Sequence, residues 1–433
     1  MTQILARPGT GRRRLTLFLL AVIYLLNFLD RQIILILQEP IRHEFGLSDT
    51  QLGLMTGGAF GLLYTSLGLP LARWLDRGVV RVRFIAGITA LWSLMTIICG
   101  VSRNFPQLFL VRMGVGMAEA GFTPAAHSLL SDMYAPRDRP QAIGLFAISV
   151  PIGSMAGLAI GGMVAQAHDW RVALFVGGVP GLLVALLFAI VAREPDRGGM
   201  DSPATGPATP QIGTMRSIAL LMRRAAFRHI VFSASVCGFA QAGIAAWLPS
   251  FLIRVHGMPI GQVGIMLGLL LGLCGVIGTY AGGWQATRMA RAGEHRMLLL
   301  PMAGALASIP LLIWALAAPS GTDVALRLIV PLILGGLWTA PSIALTQNLA
   351  PVTMRAQASA LYVICANLIG VSMGPLAVGL LSDVLAGRSG DAGQGLRQAL
   401  VIATAALLWG ALHHALAIRA MARERRGATD PMA

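Results

Sequence analysis

The sequence contains no lysine, and it is poor in charge of any kind: 12% of its 433 residues are charged. A soluble domain carries about twice that share, so a water-facing surface cannot be assembled from this chain. Cysteine is scarce as well. The four present, Cys99, Cys237, Cys274 and Cys365, lie inside apolar stretches and show no zinc spacing, which reads as small packing residues rather than ligands. Also missing are a metal-ligand cluster, a nucleophile motif and a phosphate loop. An enzyme or a receptor therefore finds no support, and neither a metal nor a cofactor is expected.

What the chain has in abundance is apolar residues, 56% of the total, with a mean hydropathy of +0.72. Its net charge of +15 comes from 33 arginines. Nucleic acid is excluded as a partner, because the arginines form short clusters between apolar runs and lack interleaved aromatic platforms. Arg12-Arg13-Arg14 precede an apolar run from Leu15 that continues past Leu37 and ends in Gln38-Glu39-Pro40 without a small-residue cleavage site. That start is expected to be a retained first span.

A spanning helix needs about 20 mostly apolar residues. Breaks at charged and turn residues give twelve: 16–37, 51–72, 83–101, 106–132, 141–166 and 171–191, then 229–253, 260–286, 297–318, 324–349, 356–385 and 395–419. With the amino terminus inside, 24 of the 33 arginines fall on inner segments, seven on outer loops and two within helices, so both termini are expected in the cytoplasm. The expected division is an N-terminal six-helix bundle over 1–191, a cytoplasmic linker with an interfacial helix over 192–228, and a C-terminal bundle over 229–433. Within the linker, Glu194–Pro210 reads as flexible and Met215–Arg228 as a basic, partly apolar helix on the inner leaflet.

The halves repeat. At an offset of 211, Gly46, Gln51, Gly53, Met55, Gly57, Gly61, Leu62 and Arg77 match Gly257, Gln262, Gly264, Met266, Gly268, Gly272, Leu273 and Arg288. At 216, Arg139, Gln141, Ala142 and Leu145 match Arg355, Gln357, Ala358 and Leu361, and one residue later Gly153 and Gly157 match Gly370 and Gly374. A parallel repeat of six helices is the major facilitator design. The fold expected is therefore an all-α integral membrane protein, twelve transmembrane helices in two pseudo-symmetric six-helix bundles.

A charge near the bilayer centre costs about 2.5–3.5 kcal/mol or more, so each one implies a role. Asp30 and Arg31 lie in the first span, Arg112 and Glu119 in the fourth. Arg112, Gly116, Glu119, Thr123 and His127 recur at helical spacing on one face, with Arg112 and Glu119 about 10 Å apart. Tyr24, Asn27, Asp30 and Arg31 mark one side of span 1. The functional reading is that these faces line a cavity and that the carboxyls of Asp30 and Glu119, beside Arg112 and Arg31, bind protons according to which side is open. The plain alternative is a static ion pair that orients the two helices. Arg31 either anchors an anionic headgroup or neutralises Asp30, and His127 reads as a packing residue. The second half offers neutral positions only: Gln241, Thr339, Ser342, Gln347, Tyr362 and Asn367, as cavity lining or as helix contacts.

Several of these residues are similar to a known family. Gly68–Arg81, with Asp76, Arg77 and Arg81, resembles the major facilitator loop between helices 2 and 3; Ala72 and Val80 depart from its pattern. The resemblance implies that this loop gates the cytoplasmic side. Leu110–Ala120 resembles the helix 4 motif that carries a coupling arginine. Gly153, Gly157, Gly161 and Gly162 resemble the helix 5 motif of antiporters, with Leu158 in place of its proline; taken alone, these glycines mean close helix packing. Asn27–Arg31, Gly114–Ala120, Val150–Gly153 and Arg193–Pro195 resemble the Spinster branch and its bacterial members. That implies proton-linked movement of an amphipathic lysolipid- or sphingoid-like molecule or an organic anion. The gradient is then the driving force, membrane lipids are the surroundings, and a monomer in a bacterial inner membrane is expected. A proton symporter importing a small organic acid is the alternative.

Overall fold

The computed structural model describes residues 10–198, 200, 214–351 and 354–429. Among these it is helical, without strands. Eleven helices among the described residues are long and apolar enough to cross a membrane. In chain order, with the divided helix included as α4, the twelve are α1 (Gly11–Ile36), α2 (Asp49–Leu75), α3 (Arg81–Gly100), α4 in two pieces (Phe105–Glu119 and Phe122–Met133), α5 (Arg139–Ala167), α6 (Trp170–Val191), α7 (Ala225–His256), α8 (Ile260–Ala290), α9 (Glu294–Leu316), α10 (Gly321–Leu349), α11 (Gln357–Ser389) and α12 (Ala392–Glu424). Thus α4 is the helix outside the eleven. Arg112 and Glu119 dilute its apolarity, and a turn at Ala120–Gly121 divides it. The turn has a cause in the sequence, since Pro124 cannot donate to the carbonyl of residue 120 and its ring crowds that oxygen.

Contacts divide the chain into two compact units: Met1–Gly46, Ala59–Gly206 and Pro259–Gly268 in the first, Leu47–Gly58, Pro207–Met258 and Leu269–Ala433 in the second. The start of α2 thus belongs to unit 2, and the chain passes into unit 1 at the end of a π-helical stretch, Leu54–Ala59. The start of α8 belongs likewise to unit 1.

These two tips repeat each other contact for contact. In unit 2, a Cβ added at Gly53 or Gly57 would strike the backbone of Pro375 or Ser372; in unit 1, one added at Gly264 or Gly268 would strike Leu158 or Met155. Gly379 lies against Asp49, and Gly162 against Ile260. Every pair obeys the offsets of 211 and 217 read from the sequence. Only the capping differs. In unit 1, Gln166 accepts the Gly261 N–H at 2.8 Å. In unit 2 the matching residue is Asp383, which accepts the N–H groups of Asp49 (2.9 Å) and Thr50 (2.7 Å) and the Thr50 hydroxyl (2.6 Å). The Asp49 carboxylate meanwhile accepts from Arg254 and Ser382.

Inside unit 1, α1 packs closely on α5. Gly153 and Gly157 lie on the backbone of Leu25 and Leu29, and Gly161 on the side chains of Ile33 and Ile36. The glycine stripe therefore fixes α1 where it carries Asp30 and Arg31. Beside it, Tyr24 stacks on Phe146 (centroids 4.3 Å, planes 2° apart), within a core of Trp92, Phe122 and Phe188. Unit 2 has its own core, with Phe227, Leu298, Leu345 and Met421.

The expected linker does not begin where apolarity ends. Val82 N–H donates to Glu194, Arg197 donates to the carbonyls of Leu75 and Val79, and Gly198 N–H donates to Asp132. Most of the rest, residues 199 and 201–213, lies outside the described residues. Thr214–Arg223 forms a helix whose Ser217 and Leu221 are buried while Met215, Arg216 and Arg223 are exposed.

Candidate functional site

The four charges within the first and fourth spans come together in unit 1 as two crosswise ion pairs. Arg112 Nη1 of α4 lies 3.1 Å from Asp30 Oδ2 of α1, and Arg31 Nε of α1 lies 2.8 Å from Glu119 Oε2 of α4. The sequence alternative in which Arg31 neutralises Asp30 is thereby corrected. Adjacent residues of one helix point to different rows, so each arginine reaches the acid of the facing helix. Asp30 also accepts from the Thr96 hydroxyl at 2.9 Å.

The two pairs differ in their surroundings. Arg112 and Asp30 have side chains 2% and 3% exposed. Glu119 is wholly buried, but Arg31 retains 20% exposure. Its guanidinium lies over Tyr64 (4.6 Å) and Phe28 (4.9 Å), where ring faces attract a cation. Glu119 Oε1 has no hydrogen-bond partner among the described residues, and such an orphan is costly for a buried carboxylate. Glu119 is also the last residue of its helical piece, where the helix dipole disfavours an anion. Arg31 is the group that offsets both. Asn27, one turn before Asp30, is buried, with its amide nitrogen without a partner among the described residues.

The face expected along span 4 does not continue past the turn. Thr123 is half-buried, and His127 is exposed with its ring 5.6 Å from that of Phe146. Neither joins the charged cluster.

Arg81, of the expected gating loop, is buried, and its partners are all within unit 1. It donates to Asp132, to Glu194 (2.6 Å), to the Ser128 hydroxyl and carbonyl (3.0 and 3.1 Å) and to the Pro195 carbonyl (3.2 Å). Arg77 is exposed, and the side chain of Asp76 lies outside the described residues. Asp132 was not singled out by sequence, and Glu194 entered only within the Arg193–Pro195 resemblance, without a role. A usable signal existed, since Asp132 is an acid in the last turn of a helix, a position that calls for a cation. Thr96, Tyr64 and Phe28 were missed because nothing in their spacing distinguishes them from apolar packing.

Of the neutral positions in the second half, Gln241 donates to the Gly335 carbonyl at 3.3 Å and Gln347 to Ser359 at 3.4 Å. Ser342 and Tyr362 are buried; Thr339 and Asn367 are half-buried. None of the six bonds to another.

A family profile described as the Major Facilitator Superfamily matches residues 20–375. An MFS-type efflux pump of Mycolicibacterium smegmatis is 34% identical over 421 residues, 97% of this chain and 95% of that protein. Protein spinster homolog 1 of Homo sapiens is 28% identical over 396 residues, 87% of this chain and 74% of its own. Among solved structures, a bacterial homolog to the human lysosomal transporter Spinster, in an inward-facing and unoccupied conformation, superposes with a TM-score of 0.89 at 28% identity, over 96% of this chain and 98% of that one.

Proposed function

The chain belongs to the Major Facilitator Superfamily, in its Spinster branch, and from that premise we propose a proton-coupled secondary transporter that moves an amphipathic lysolipid- or sphingoid-like molecule, or an organic anion, by alternating access. The observation that carries this reading is the Glu119 carboxylate, buried, with one oxygen in the Arg31 ion pair and the other unpartnered among the described residues. A proton arriving on that carboxyl cancels its charge and releases the Arg31 guanidinium. Arg31, the partly exposed member and flanked by two aromatic rings, then has donors for the anionic group of a cargo whose apolar part sits against the rings. Loss of the cargo returns Arg31 to Glu119 and expels the proton. Asp30 and Arg112 hold the neighbouring turns in place while this exchange occurs.

Export is favoured by the efflux pump among the relatives. In this reading the two six-helix halves, joined by the 192–228 segment, rock against each other, Asp76, Arg77 and Arg81 gate the inner side, and both termini face the cytoplasm of a bacterial cell.

The experiment is transport in proteoliposomes under an imposed proton gradient, with a lysophospholipid as cargo. Glu119→Gln should abolish gradient-driven accumulation while cargo exchange persists. Unchanged accumulation removes Glu119 from the coupling. Absence of exchange in the unaltered protein, for every member of a lysolipid panel, rejects the cargo class instead. Import that rises when the proton gradient runs parallel to an organic acid favours the symporter.

A further inference from the structure

The internal repeat exposes a second site by what it leaves out. In unit 1, the corner where α3 begins, α4 ends and α6 gives way to Glu194 is filled by the chain's own Arg81, which is 1% exposed. The offset of 211 carries Arg81 to Ala292, and that of 216 carries Asp132 to Asn348. Unit 2 therefore lacks the guanidinium and one of the two carboxylates that it met.

At the corresponding end of unit 2 lies a cavity of about 470 Å³, lined by Arg224, Arg291, Glu294, His295, Glu424 and the apolar Leu349 and Met421, among others. Its size falls in the range of small-molecule sites, about 300–1,000 Å³. Glu424 accepts from Arg224 Nε (3.0 Å) and Nη2 (2.8 Å), and Glu294 accepts from the neutral Asn348 amide at 3.0 Å. The cationic donors are less engaged. Arg291 and His295 make no ion pair or hydrogen bond among the described residues. Arg224 uses three of its five N–H groups, the third on the Leu349 carbonyl at 2.5 Å.

We propose that this cavity binds a phosphate-bearing anion, held by Arg291 and the remaining donors of Arg224, with His295 at its edge and the apolar wall of Leu349 and Met421 against the organic part. Arginine suits this ligand because its planar fork meets phosphate oxygens in pairs. The cavity lies where α7 begins, α10 ends and α9 begins, at the ends of spans, where arginine attracts an anionic headgroup. The anion comes either from an anionic phospholipid or from soluble phosphate. Bound there, it ties α7 to the α8–α9 loop as Arg81 ties the elements of unit 1.

The full chain in phosphatidylcholine nanodiscs is unfolded by heat with inorganic phosphate, with chloride at equal ionic strength, and in nanodiscs containing phosphatidylglycerol. A saturating ligand should raise the midpoint by about 2 °C or more. Arg291→Ala should lose that rise, Arg291→Lys should keep part of it, and Arg216→Ala, exposed on the Thr214–Arg223 helix outside the cavity lining, should keep it all. A rise with inorganic phosphate identifies a soluble ligand; a rise with phosphatidylglycerol alone identifies the lipid. No rise with either probe overturns the proposal, as does a rise of equal size in Arg291→Ala. Arg291 is exposed, so its truncation leaves folding intact and both outcomes can be read.

Discussion

Arg112→Met separates the closed Arg112–Asp30 pair from the Arg31–Glu119 pair, for which exchange is proposed. In the native protein Asp30 accepts from Arg112 at 3.1 Å and from Thr96 at 2.9 Å, in surroundings almost closed to water. Removing the guanidinium leaves a carboxylate with one hydroxyl for company, and breaking a buried pair in this way costs about 3–5 kcal/mol. For a chain of 433 residues that is a fall of roughly 3–5 °C in the unfolding midpoint. Adding Asp30→Leu removes the orphan. Thr96 keeps its other bond, to the Trp92 carbonyl at 3.0 Å, so its hydroxyl stays satisfied. The double variant should regain most of the lost stability, and the two effects should be strongly non-additive.

Arg31→Met is the contrast. Arg31 is 20% exposed, so water can take its place beside Glu119, and the loss should be smaller, about 1–3 kcal/mol. Tryptophan fluorescence during heating, in one nanodisc composition at pH 7, measures all of these. A loss below about 1 kcal/mol in Arg112→Met would refute the reasoning, because it would mean that the Asp30 site is wet or already uncharged. A double variant as weak as the sum of the singles would refute it too.

Gly157→Val should drive α1 away from α5, since even a Cβ there meets the Leu29 backbone and Gln32; overpacking of about 1–3 kcal/mol should appear in the unfolding midpoint together with reduced transport. Arg81→Met should cost about 3 kcal/mol and speed protease cleavage near Glu194, because Asp132 and Glu194 lose their shared cation. At Glu44, outside the spans, the hydrogen bond from Arg171, seconded by the Trp170 indole, holds the carboxyl below the ordinary carboxylate range. A group lowered on folding stabilises above its unfolded value, about 4.3, and loses that contribution as pH falls through its folded value. A small drop in the unfolding midpoint is therefore expected below about pH 4, and absent in Glu44→Gln.

The fold was legible because lipid leaves few choices: apolar length gives the spans, and the offsets of 211 and 217 anticipate which glycines meet which backbones. Less was legible in the charged site. Composition and periodicity picked out Asp30, Arg31, Arg112 and Glu119, but the partners depend on how α1 and α4 are rotated toward each other, and one helix's period says nothing of its neighbour's phase. The end of the polar face at Glu119 was readable in principle from Pro124, four residues after the turn begins. A second case agrees, for α10 turns at Leu337–Trp338, and Pro341 lies four residues beyond Leu337. Arg81 shows the opposite failure. Motif likeness made it a loop residue, whereas the acids that bury it sit 51 and 113 residues away.

The repeat also shows where chemistry was added to a symmetric scaffold. Carried along the same offsets, Asp30, Arg31, Arg112 and Glu119 become Gln241, Ala242, Leu328 and Gly335. Part of the scaffold survives the exchange: α10 turns within one residue of where α4 does, and Gln241 reaches across to α10, though to the Gly335 carbonyl at the position of Glu119 and not to that of Arg112. Even Arg327, one residue off register, turns away to lie 4.4 Å over Trp314. A neutral hydrogen bond is therefore sufficient to join these helices. Since each intramembrane charge costs about 2.5–3.5 kcal/mol, four of them are not explained by helix packing that their counterparts achieve without charge. The coupling proposed above would account for them, with unit 1 binding and releasing a proton on α1 and α4 and unit 2 not.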